Sequence, residues 1–334
     1  MTEMLPTDIT ADVRGARVLV CPLNWGLGHA TRCVPIVRAL MAAGKHVIVA
    51  ADGEPLAFLQ QEFPNIETIE FGGLTVKYAL GKSQIGAMLR QMPKFLLQIW
   101  REHRKIGEII EKKQIDTIIS DNRFGLWHKQ ICSIYITHQL MVKMPMKWRF
   151  LEPIVWRIHG WFIAQYDYCW IPDKAENGLS GDLSHKYPLP ENGRFIGILS
   201  RFDGGTNQAP PPTSPYNTIA LVSGPEPQRT LFEQQLVELL STTHRPNLIV
   251  CGRPTTHNTR RIGQITLIDH LDSATLQTLL QTTPHIICRS GYTTLMDLVT
   301  LQRTATLVPT PGQTEQEYLA EYVQKFGFEL LVQR

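Results

Sequence analysis

Short runs of β-branched and aliphatic residues alternate along this chain with longer stretches whose apolar positions recur every three or four residues. The first run, "ARVLVC" (16–21), precedes "TRCVPIVRALMAAG" (31–44), which has helical spacing and closes at Gly44. "HVIVAAD" (46–52), "IETIEF" (66–71), "IDTIISD" (115–121) and "CSIYITHQ" (132–139) repeat the strand pattern. Between them lie the helical stretches "EPLAFLQQEF" (54–63) and "IGAMLRQMPKFLLQIWREHRKIGEIIEKKQ" (85–114). Strands alternating with helices predict βαβ units and a parallel sheet.

The pattern breaks at "DGGTNQAPPPTSPY" (203–216), rich in Pro and Gly and without periodicity, then restarts. "YNTIALVSG", "NLIVCG", "HIICRSG" and "TATLVPTP" read as strands, with helical "QRTLFEQQLVELLS", "ATLQTLLQTT" and "YTTLMDLVTLQ" between them. The expectation is therefore an α/β protein of two Rossmann-like parallel-sheet domains, 1–202 and 217–334, joined by a linker over 203–216. Two such domains face each other across a cleft at the carboxyl ends of their strands, where open α/β sheets bind ligands.

The first strand runs into "PLNWGLGHATR". Gly26-x-Gly28-x-x-Thr31 approaches the dinucleotide-binding pattern, and Asp52 ends the second strand where a ribose-binding acid would stand. The third glycine is missing, however, and Pro22–Trp25 separate the strand from the first glycine, against the tight turn of that pattern. Two glycines can also serve only to turn the backbone through positive φ. His29 at the start of the coming helix adds chemistry to the turn.

The bulk composition excludes several classes. The 334 residues are 43% hydrophobic and 19% charged, with a formal net charge of +3, which gives no reason to expect nucleic acid. Six cysteines form no C-x-x-C pair, as in a reduced, cytoplasmic protein. The first fifteen residues lack the apolar core of a signal peptide, and no apolar run is long enough to span a bilayer. From Lys82 to Arg157, however, fourteen Lys/Arg stand against six Asp/Glu, interleaved with Trp148, Phe150 and Trp156, and Trp161 and Phe162 follow directly. That mixture suits peripheral contact with an anionic membrane surface, such as the inner face of the cell membrane. Equally, the aromatics can be core and the charges a solvated face.

The loop "GLGHATR" resembles the "G-G-H" loop of family 28-type glycosyltransferases of the GT-B fold, the peptidoglycan-precursor N-acetylglucosaminyltransferase and galactolipid synthase type. "CRSGYTTLMDLVTLQ" (288–302) looks like that family's "CRSGALTVSEL" donor signature, and "VPTPGQTEQEYLAEY" (308–322) is similar to its proline-then-glutamine segment. "ALVSGPEPQR" (220–229) takes the place of the "GGS-Q-GA" phosphate loop, and "IGILSRF" (196–202) that of the "GNPVR" stretch closing the first domain. The departures are Pro225 and Pro227 in the phosphate loop, and Asp297 where the family usually has Glu.

The resemblance implies a nucleotide-sugar donor, most simply a UDP-sugar, held by the second domain. Asp297 would accept from the ribose diol. Ser223, Gly224, Ser290, Gly291 and Thr293 would cradle the diphosphate at helix N-termini, with Arg201 as cation. Gln313 and Gln316 would address the sugar. No D-x-D motif is present, so neither a metal nor any cofactor besides the co-substrate is expected. Inversion at the anomeric carbon needs a general base, and His29, Asp121 and His138 all end strands of the first domain. His29 assisted by Asp121 is the favoured pairing, with Gly26 and Gly28 shaping an acceptor loop. The acceptor would be lipid-linked or a small molecule. The alternatives are a non-hydrolysing nucleotide-sugar epimerase of the same fold, or a catalytically silent protein that binds nucleotide or a partner.

Overall fold

A computed structural model describes residues 9–73, 84–202 and 213–331, without the side chains of 84–92. Most of the expected linker, 203–212, lies outside the described residues. The chain divides into two compact units; two short excursions apart, the break falls between Leu199 and Ser200.

The first unit opens with β1 (Arg17–Pro22), α1 (Leu27–Ala42), β2 (His46–Ala51), α2 (Gly53–Glu62) and β3 (Glu67–Glu70). It continues with α3 (Gln84–Lys113), β4 (Thr117–Asp121), β5 (Cys132–Ile136), α4 (Glu152–Ile163), β6 (Tyr168–Ile171), α5 (Asp182–His185) and β7 (Gly193–Phe195). The seven strands lie in the order β3-β2-β1-β4-β5-β6-β7, every pairing parallel. All five residues of β4 and of β5 are buried, which explains why those strands read as near-continuous apolar runs: helices cover both faces of a parallel sheet. One core cluster joins Leu19, Ile48 and Ile118 to Ile106 and Ile110 of α3.

The second unit holds β8 (Thr218–Leu221), α6 (Gln228–Ser241), β9 (Asn247–Val250), β10 (Thr259–Ile262), β11 (Ile265–Ile268) and α7 (Ser273–Thr282). After these come β12 (His285–Cys288), α8 (Tyr292–Thr300), β13 (Thr306–Leu307), α9 (Thr314–Tyr322) and β14 (Glu329–Leu330). Its order is β10-β11-β9-β8-β12-β13-β14, parallel except for the hairpin β10–β11, which turns at Gly263 with φ +56°. All four residues of β10 are exposed, so no apolar alternation marked that strand in the sequence.

Each sheet reverses direction once. In the first the chain builds outward from β1 through β2 to β3, then returns to place β4 on the other side of β1. In the second the same reversal separates β8 from β12. The loops at the carboxyl ends of such strand pairs diverge and leave a crevice, the usual ligand position in open α/β sheets.

Candidate active site

In the first unit the reversal point gathers four polar side chains. Leu27 already starts α1, so Gly28 and His29 lie in its first helical turn and only Gly26 takes a left-handed conformation, φ +94°. The glycine pair thus divides its work differently from the sequence reading: the sharp turn belongs to Gly26 alone. Asp121 is the last residue of β4, and His138 follows β5 by two residues. His29 Nδ1 lies 3.1 Å from Asp121 Oδ1.

Arg32, three residues after His29 and therefore on the same helical face, joins them. Its Nε donates to Asp121 Oδ2 at 2.6 Å, and a second guanidinium nitrogen binds Asp121 Oδ1. The guanidinium also reaches His138 Nδ1 at 3.0 Å and His29 Nδ1 at 2.9 Å. A guanidinium only donates, so His138 Nδ1 accepts in this contact. The sequence motif pointed to His29, Asp121 and His138 but not to the arginine binding all three. In the sequence Arg32 is only the arginine that ends "HATR", one helical turn beyond the histidine, with Arg38 further along the same helix.

The electrostatics separate the roles. Asp121 is completely buried. Burial alone would raise its carboxyl, but Arg32 and then His29 outweigh that and hold it at about 2. A carboxylate so stable is a weak proton acceptor and a good orienter. Burial lowers the His29 imidazole below its ordinary value, Asp121 draws it back up, and Arg32 lowers it again. The ring is neutral at neutral pH, and 15% of its side chain stays exposed. His29 is thus the member that combines a free base with access to solvent. Among the described residues no three His, Cys, Asp or Glu side chains gather as metal ligands, and at Asp121 the positive charge is the guanidinium. Asp52, the acid of the dinucleotide pattern, accepts from Asn24 Nδ2 at 2.6 Å and fastens the loop that precedes α1.

In the second unit the turns after β8 and β12 flank the reversal point. Gly224 has φ +102°, whereas Gly291 is the extended N-cap of α8, φ −69°. The two helix starts differ. At α6 the Glu226 carboxylate already accepts from Thr230 N at 3.2 Å and binds Arg229 Nε at 3.0 Å, so part of that anion position is taken internally. At α8 the N-cap is Gly291, which has no side chain to fill that position. Ser223 belongs to the turn after β8, and Thr293 is largely buried in the first turn of α8.

The loop before α9 is tied to α8's turn. Ser290 Oγ donates to the Gln316 main-chain oxygen at 2.7 Å, and Gln316 Oε1 accepts from Thr310 N at 2.9 Å. Buried Arg289, absent from the sequence reading, donates to the carbonyls of Val308 and Pro309, both at 3.0 Å, and lies over the Phe232 ring. Ser290 and Gln316 therefore shape the turn through these bonds, and Gln313 is the N-cap of α9. Asp297 on α8 is 5% exposed. Its carboxylate accepts from Ser200 Oγ at 2.6 Å and pairs with Arg201 Nε at 3.4 Å. Burial raises this carboxyl and Arg201 opposes the rise. Arg201 and Asp297, separate candidates in the sequence, are one ion pair.

The basic–aromatic interval divides. Trp148, Phe150 and Trp161 are exposed, with Leu96, Leu97 and Trp100 of α3 and Ile154 and Ile158 of α4. Trp156 is half-buried, stacked on Tyr187, and Phe162 packs on Phe124, whose ring also meets Phe95 of α3. Lys94, Arg101, Lys147, Arg149 and Arg157 are exposed on the same segments. Among the described residues no helix is long and apolar enough to cross a membrane.

No protein-family model matches the sequence, and no curated protein matches it. Solved structures do. The glycotransferase of kitacinnamycin is similar with a TM-score of 0.63 at 16% identity, over 96% of this chain and 87% of that one. Spinosyn rhamnosyltransferase SpnG complexed with thymidine diphosphate gives 0.58 at 16%, over 94% and 86%. MurG of Acinetobacter baumannii gives 0.51 at 12%, over 95% and 86%. At such identities the likeness is one of fold: the chain has the GT-B fold expected from its sequence.

Proposed function

We propose that this protein is a glycosyltransferase that moves a sugar from a nucleotide-sugar donor to an acceptor hydroxyl with inversion, using His29 as general base. The observation that carries the reading is the His29–Asp121 pair at the reversal point of the first sheet. An imidazole whose Nδ1–H donates to a buried carboxylate presents a lone pair on Nε2, and that atom takes the proton as the acceptor oxygen attacks. Asp121 steadies the imidazolium that forms. The similar solved structures, glycosyltransferases in name and in one case holding thymidine diphosphate, support the same reaction class.

The second unit provides for the donor. The start of α8 at Gly291 turns the positive end of a helix toward the diphosphate, whose leaving charge such a dipole stabilises without a metal. Gly224, with no Cβ, lets a phosphate approach the turn after β8. Asp297 and Arg201 take the ribose and phosphate sides, with Gln313 and Gln316 near the sugar. UDP is the first nucleotide to test and TDP the second. The exposed apolar and basic residues of α3 and α4 favour a lipid-linked acceptor presented at an anionic membrane surface.

Donor binding is testable without knowing the acceptor. A nucleoside diphosphate at one hundred times its Kd stabilises a protein by about 2.7 kcal/mol, a clear thermal shift. Calorimetry with Asp297→Asn, which keeps an acceptor for Ser200 but removes the charge, should show about ten- to a hundredfold weaker binding. A protein that no nucleoside diphosphate stabilises would contradict the proposal. Donor consumed without acceptor to give an epimeric nucleotide sugar would replace it with epimerisation.

A further inference from the structure

Arg32 is the hub of the first-unit cluster, touching Asp121, His29 and His138 while itself 1% exposed. We propose that Arg32 is a positioning residue that, by meeting the carboxylate charge Asp121 would direct at His29, sets how readily that ring takes a second proton.

Two groups compete for one atom of His29. His29 Nδ1 lies 3.1 Å from Asp121 Oδ1 and 2.9 Å from an Arg32 nitrogen. Toward Asp121 it must donate. Toward Arg32, which has no lone pair, it must accept. Only the first tautomer leaves Nε2 free to act as a base; the second puts the proton on Nε2. Arg32 also grips both carboxylate oxygens, Oδ2 through Nε at 2.6 Å and Oδ1 through its other nitrogen. Much of the charge that Asp121 would direct at the imidazole is met by the guanidinium. Asp121 therefore orients the ring without holding a second proton on it. The charged and titratable groups facing His29 are Asp121 from β4, Arg32 on its own helix and His138 after β5. Burial and the nearby Arg32 and His138 disfavour the imidazolium, and Asp121 alone favours it.

Removing the guanidinium should therefore make His29 harder to deprotonate. The inference rests on the reading of His29 as base, but its primary test does not use turnover. The imidazole protons of wild type, Arg32→Gln, Arg32→Lys and Asp121→Asn are titrated by NMR, with His29→Ala assigning the resonance. Arg32→Gln should move the His29 midpoint to higher pH and Asp121→Asn to lower pH. Arg32→Lys, which keeps the charge but loses the planar fork, should fall between wild type and Arg32→Gln. Tryptophan fluorescence confirms that each variant is folded; if Arg32→Gln is not, the Lys variant carries the test. Once a transfer assay exists, the acidic limb of the pH–rate profile should move with the NMR midpoint. A His29 midpoint unchanged or lowered in the Arg32 variants would overturn the inference and leave glycosyl transfer standing. The predicted midpoint shifts in a protein that transfers no sugar would overturn the functional reading and leave this one standing.

Discussion

Replacing Asp121 with Asn isolates the interaction on which the first-unit cluster depends. The substitution keeps shape and one acceptor oxygen but leaves the Arg32 guanidinium, 1% exposed, without its counter-charge. Two routes give the magnitude. Removing one partner of a buried ion pair costs about 3–5 kcal/mol, because the other charge stays buried. Independently, the Asp121 carboxyl lies at about 2 against an ordinary 3.8, on the order of 2–3 kcal/mol of preference for the ionised form. A loss of about 2–5 kcal/mol at neutral pH is expected. The sign with pH follows. A carboxylate lowered by folding contributes stability that is full above its unfolded value and fades as pH falls through the folded one. The wild-type advantage should thus hold from pH 7 to about 4 and shrink toward 2. Six of the seven tryptophans, Trp25 excepted, belong to the first unit, so urea unfolding followed by fluorescence reports chiefly on it. A loss below about 1 kcal/mol, typical of an exposed pair, or one independent of pH down to 3, would refute the reasoning.

Other outcomes follow from single features. Gly26→Ala should destabilise the protein by about 1–2 kcal/mol, since φ +94° is costly for a residue with a Cβ; an unchanged melting temperature would exclude strain there. The protein should sediment with anionic vesicles more than with neutral ones, and less as salt rises; Trp148, Phe150 and Trp161 changed together to Ala should weaken this, and equal binding by the variant would remove the patch from the account. Transfer should survive chelation of divalent metals, and its loss on EDTA with recovery on Mg²⁺ would reassign the stabilisation of the leaving diphosphate.

The parallel sheets were legible because their strands are buried on both faces and read as unbroken apolar runs, as in "IDTIISD" and "CSIYITHQ". Strand β10, "TRRI", carries no such signal because its hairpin pairing is held by backbone hydrogen bonds on an exposed edge. At the site, the sequence shows which residues end strands but not which polar side chains share a space. His29 and Asp121, 92 positions apart, were both visible as strand-end residues. Arg32 looked like one more helix arginine, because nothing in a linear pattern marks a charge that is buried by its partners. Ser290 and Gln316 were visible as polar groups in a donor-like motif. That Ser290 also holds the main chain of Gln316, and Gln316 the loop at Thr310, depends on how close α9 lies to the turn before α8, which only folding sets.

The claim that most needs measurement is that His29 takes a proton during sugar transfer. Wild type and His29→Ala should be incubated with nucleotide sugars and an extract of anionic membrane lipid, with nucleoside diphosphate and glycosylated product followed by mass spectrometry. The account predicts product and nucleotide in equal amounts with wild type, and a rate about 10²–10⁴-fold lower with His29→Ala, while the affinity for the nucleotide is unchanged. Near-full transfer by His29→Ala would contradict it.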